Sequence, residues 1–229
     1  MNKRFFDWYQ YIGPLLLTPF SFYLWWQSFN GSVELVLITW LLPIVYAYVV
    51  PGVGTNILKV WELNTKYRIG KFRLQHGFVF GSATSTLAWF SHIAPVTDIL
   101  GIFQTAFIFA SVLGLWNIIY DIKAIESGVL IVYNQPWADG KGAEAIAMDY
   151  APWFFAGFGM VYGLGVGVAE LLLSKHMLYG TTFYILVIST FLLAIMVPVL
   201  GYRRHSFKTH GHSGCKPVHK EVTEKEDAV

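Results

Sequence analysis

Apolar and polar positions in this chain segregate into long blocks rather than alternating. Six blocks, at about 11–29, 33–50, 74–94, 98–120, 150–173 and 177–201, are almost free of charge. Each approaches the roughly 20 apolar residues that a helix needs to cross a bilayer. The pattern therefore predicts an all-α integral membrane protein with six transmembrane helices. Stop signals separate the blocks: Asn30, Gly31 and Ser32 after the first, Pro51 and Gly52 after the second, Pro95 after the third. Pro14 and Pro19 lie within the first block and predict a bend, because proline removes a backbone donor.

Three stretches are polar. In 55–73, Ile57, Val60, Trp61 and Tyr67 recur at helical spacing, with Lys59, Glu62, Lys66 and Arg68 elsewhere. That pattern predicts a short interfacial helix lying at the headgroups in the loop between the second and third spans. Residues 121–149 predict a long loop between the fourth and fifth spans. Residues 202–229 are hydrophilic and predict a disordered tail, beside a transmembrane domain at 1–201.

Charge then orients the blocks. Of the 16 Lys and Arg residues, all but Lys175 fall on the side that carries the N-terminus, the 55–73 segment, the 121–149 loop and the tail. The positive-inside rule makes that side cytoplasmic, so both termini and both long loops are expected to be cytoplasmic in a multi-pass plasma-membrane protein. Only 13% of residues are charged, about half the usual share of a soluble domain. A single cysteine, Cys215, excludes an internal disulfide. Basic residues beside a membrane meet anionic lipid, and no nucleic-acid partner is expected.

Small residues predict which helix faces are buried, because close approach drives packing in lipid. The stripes are Gly77, Gly81 and Ser85, then Ala106, Ala110 and Gly114, then Gly159, Gly163 and Gly167. They lead to polar groups at the block ends. Asn117 and Asp121 continue the Gly114 face, and His76 lies at the same end of its own span. At the other end, His92 and Glu170 are expected to form a structural polar pair.

Candidate chemistry gathers at the predicted cytoplasmic face. Asn117 and Asp121 place an amide and a carboxylate on one helix face, a donor set for a divalent cation or a polar headgroup. Over these five residues the pattern resembles the first half of the Asp-rich motif of UbiA-type prenyltransferases; no second such motif follows. Asp139, Gly140, Lys141 and Gly142 predict a phosphate- or substrate-binding turn ahead of a helix starting at Ala143. This stretch is similar to the core motif of CDP-alcohol phosphotransferases, with Glu144 where that family has Arg. Asp149 with Pro152 predicts the N-cap of the fifth span, and Glu62 belongs to the interfacial segment. His205, His210, His212, Cys215 and His219 are metal-ligand types on the predicted solvated tail.

These residues predict an enzyme acting on a lipid or isoprenoid substrate at the cytoplasmic face. Asp121, Asn117, His76, Asp149 and Glu62 are its catalytic candidates, supported by acid–base chemistry or a divalent cation. Its partners are membrane lipids, a hydrophobic small-molecule substrate and other membrane proteins. Three alternatives share the sequence: an accessory subunit of a membrane complex, a small-molecule transporter, and a cytochrome ligating two b-type haems through His76, His205, His92 and His176. The 16 residues between His76 and His92 set those two about 160° apart on a straight helix.

Overall fold

The computed structural model describes residues 3–220. It is 74% helical with little sheet, as an all-α membrane protein requires. The helices are α1 (Lys3–Ser28), α2 (Val33–Asn56), α3 (His76–Ser91), α4 (Ile99–Glu126), the short α5 (Gln135–Ala138), α6 (Ala143–Ser174) and α7 (Gly180–His210). Four of them, α2, α4, α6 and α7, are long and apolar enough to cross a membrane. The other two predicted spans fall short of that standard. α3 has 16 residues, about 24 Å against a hydrocarbon core of about 30 Å. α1 has 26 residues, but the prolines, tyrosines, tryptophans and small polar residues among its apolar positions keep its mean hydropathy low. It remains one helix across Pro14 and Pro19.

Sequence-local signals start the helices. Ser32 Oγ accepts from Leu35 N–H at the head of α2, and Asp98 Oδ1 accepts from Gly101 N–H, at 2.8 Å, at the head of α4. Gly211, at φ +77°, closes α7 in the left-handed conformation. The small-residue stripes then decide the packing. α4 and α6 form the most extensive helix pair. A Cβ at Gly159 would meet the Phe109 carbonyl oxygen at 2.7 Å, and one at Gly163 would meet Ala106 Cα at 2.6 Å. Gly81 seats against the backbone of Ile44 on α2 in the same way.

Two π turns interrupt the long helices, at Leu37–Leu41 in α2 and Pro152–Ala156 in α6. A tyrosine from another helix caps a carbonyl in each: Tyr162 donates to Thr39 O, and Tyr46 donates to Phe154 O. Thr39 O also accepts from Ser85 Oγ at 3.0 Å, which ties α2, α3 and α6 together.

The polar stretches depart from expectation. No interfacial helix forms at 55–73. The segment makes β1 (Trp61–Leu63), β2 (Arg68–Ile69) and β3 (Phe72–Arg73). β1 pairs antiparallel with β4 (Leu130–Val132), Trp61 opposite Val132 and Leu63 opposite Leu130, and β2 pairs with β3 across a turn at Gly70 (φ +61°). The partner strand lies nearly seventy residues away, so helical spacing within the segment carried no sign of it. The expected 121–149 loop is likewise ordered by the end of α4, β4, α5 and the start of α6. α7 runs nine residues past 201, and the chain beyond it folds back so that Val218 N–H donates to Tyr133 O at 2.9 Å. The predicted disorder therefore does not extend over 202–220; 221–229 lies outside the described residues.

Candidate functional site

The ends of α2, α3, α4 and α6, with β1 and β4, enclose a mostly apolar cavity of about 70 Å³. Tyr46, Ala47, Val50, Phe80, Phe154 and Phe155 supply apolar wall, and Arg73, His76, Tyr120, Asp121 and Tyr150 supply the polar end. The π turn in α6 falls here and carries Phe154 and Phe155 into the wall. β1 alternates, so Trp61 and Leu63 line the cavity while Glu62 points away.

Arg73 is the centre of the polar end. It is 1% exposed. Its Nη2 lies 3.0 Å from His76 Nδ1. A guanidinium only donates, so His76 Nδ1 is the acceptor and the neutral ring carries its proton on Nε2. Arg73 also donates to the Tyr120 hydroxyl oxygen, and its Nε and Nη1 have no closer hydrogen-bond partner among the described residues. A buried guanidinium with donors left over is costly. Asp121, 7% exposed, accepts from Tyr150 O–H at 2.5 Å, the length of a hydroxyl bonded to a carboxylate.

A second buried carboxylate lies one residue before Tyr150. Asp149 does not cap a helix, because α6 begins at Ala143 with Gly142 as its N-cap. Asp149 Oδ2 accepts from Asn134 Nδ2 at 2.9 Å and from Tyr202 O–H at 3.2 Å. Its Oδ1 faces His210 Nε2 at 2.7 Å and His205 Nε2 at 3.2 Å. Asn134 is held in turn by donating to Ile146 O and accepting from Trp137 N–H.

The remaining predicted residues lie elsewhere. Asn117 is buried on α4 but does not line the cavity. Glu62 joins Arg68, Lys71 and Tyr133 on the outer face of the strands. The Lys71 hydrogen bond, followed by that of Tyr133, holds the Glu62 carboxyl below its ordinary value and leaves it a buttress of the strands. Asp139 pairs with Gln135 and Lys141, and Gly140 and Gly142 border open space. The Gln135 hydrogen bond lowers the Asp139 pKa. His92 Nε2 lies 2.9 Å from Glu170 Oε1 at the far end of the bundle, where Glu170 Oε2 also accepts from Val96 N–H.

Sequence reasoning passed over Arg73, Tyr120, Tyr150, Asn134 and Tyr202. Of these only Arg73 carries a signal in the sequence, as the last charge before an apolar block, and that signal marks topology and not a site. Comparison with known proteins finds no matching family, no matching curated protein and no matching solved structure.

Proposed function

We propose that this protein is a membrane enzyme acting on an amphiphile of the lipid or isoprenoid class, whose acidic head binds Arg73. The observation that carries the reading is a fully buried guanidinium at the end of an apolar cavity whose partners, His76 and Tyr120, leave several of its five donors over. A carboxylate or phosphate head satisfies those donors in the planar geometry that arginine favours. The aromatic and aliphatic wall takes the first carbons of the chain, and the rest extends between helices toward lipid. Asp121 and Tyr150 share one proton and serve as the acid–base pair, with His76 Nε2–H as a further donor.

In this reading α1 and α3 complete a six-span bundle. α1 packs along α3, and the asymmetry of Lys and Arg supports a cytoplasmic orientation of both termini, Arg73 and Asp121, in what we take to be a plasma membrane. Membrane lipids are then both surroundings and source of substrate.

The test is conversion. Purified protein is incubated with a total lipid extract, and mass spectrometry follows what disappears and what appears. Wild type is expected to change at least one acidic amphiphile, and Asp121→Asn, with unchanged thermal stability, is expected to leave it unchanged. An identical extract after both incubations overturns the reading.

A further inference from the structure

Asp149, His205 and His210 bring three metal-ligand atoms together where α7 ends against α6. Asp149 Oδ1, His205 Nε2 and His210 Nε2 all lie within 4.8 Å of one another. Donors bound to one ion at about 2.1 Å sit about 3 Å apart. The two edges from Asp149 Oδ1, at 2.7 and 3.2 Å, already have about that length.

Neighbouring groups suit a metal. Thr209 O–H donates to the His205 carbonyl at 2.9 Å, and its oxygen lies 3.5 Å from His205 Nδ1. With the ring proton on Nδ1, the Nε2 lone pair faces the Asp149 carboxylate oxygen, and a cation between them satisfies both. Asp149 is held for that role, because Asn134 and Tyr202 take its other oxygen. Such outer hydrogen bonds orient metal-binding carboxylates. The two histidines also occupy the last turns of α7, where the helix dipole favours positive charge.

The neighbours do not compete. His212 spends both ring nitrogens: Nδ1 accepts from Gly214 N–H at 3.2 Å, which directs Nε2–H to Gln135 Oε1 at 3.3 Å. Cys215 bonds within its own turn, and His219 is exposed. We propose that Asp149, His205 and His210 bind one divalent transition-metal ion of the zinc class. Two imidazoles and one carboxylate favour such an ion over magnesium or calcium. Three protein ligands leave a coordination position open, and the His205 side chain, 31% exposed against 4% for Asp149, marks the side open to solvent. Neither histidine lines the Arg73 cavity, so this site stands whether or not a lipid binds there.

The experiment uses the full chain without a histidine tag, stripped with a chelator in detergent, reloaded with Zn²⁺ and desalted. Elemental analysis is expected to find one zinc per chain in wild type, His212→Ala and His219→Ala. At least ten-fold weaker Zn²⁺ binding is expected for His205→Ala, His210→Ala and Asp149→Asn. Co²⁺ is expected to give a visible ligand-field spectrum that His205→Ala alters. Should Asp149→Asn or His210→Ala fail to fold, His205→Ala decides, because its side chain is partly in solvent. No zinc in wild type means that a proton joins these groups, and equal zinc in His205→Ala means adventitious binding. Either result overturns the proposal.

Discussion

Adjacent residues of α6 serve two buried carboxylates: Asp149 is one, and Tyr150 holds the other, Asp121 of α4. Asp121 takes its tyrosine from Tyr150, Asp149 from Tyr202. Each is thus held by a hydroxyl, yet they face different cations. Asp121 shares an apolar cavity with Arg73, a charge fixed to the chain that has donors to spare. Asp149 faces two imidazoles that can give up a proton for an exchangeable ion. The difference teaches what each site lacks. The first has surplus donors and invites an anion, whereas the second gathers three ligand atoms that a cation can bridge in place of a proton.

The contrast can be broken at its frame first. Gly163→Val pushes a side chain into the α4 backbone, where even a Cβ meets Ala106 Cα at 2.6 Å. Overpacking of this kind costs about 1–3 kcal/mol or more, and a lowered thermal midpoint in detergent is expected. Because Asp121 sits on α4 and its tyrosine on α6, the cavity is expected to suffer before the Asp149 site, which α6 and α7 build. Lipid retention and zinc content measured on the same preparation separate the two.

Next come the two hydroxyls. Tyr150→Phe leaves Asp121 without its one described hydrogen bond and is expected to cost about 1.5–3 kcal/mol, the usual worth of a bond to a charged group. Tyr202→Phe removes a longer bond from a carboxylate that keeps Asn134, so a smaller loss is expected. Denaturation of the two variants side by side checks the order.

The smallest effect concerns the strands. The pKa of Glu62 is lowered on folding, chiefly by its hydrogen bond from Lys71 and then by Tyr133. Its contribution is therefore fully present above the ordinary carboxylate value of 4.5 and is lost as pH falls through the lower folded value. Amide exchange in 61–73 is expected to accelerate in acid in wild type and to be less sensitive to acid in Glu62→Gln.

What the chain disclosed in advance follows the range of the forces. Hydropathy and glycine spacing are local, so the apolar blocks and the Gly159–Gly163–Gly167 seam could be read directly. Asp121 and His76 could be placed at one end because blocks have ends. The pairing of Trp61–Leu63 with Leu130–Val132 is long-range and left no periodic trace. The histidines of 202–220 looked like a solvated tail because hydrophilic composition hides a helix that continues on its own backbone hydrogen bonds to His210. Asp149 looked like a cap because Pro152 follows, and the π turn that absorbs this proline cannot be seen from spacing.

The claim that unspent donors define the cavity's ligand is tested most directly by native mass spectrometry. Wild type and Arg73→Gln are released side by side from the same membranes. The account predicts one acidic amphiphile retained per wild-type chain and its loss from Arg73→Gln, with bulk lipid unchanged. Equal retention by both proteins, or a retained molecule without an acidic group, contradicts it.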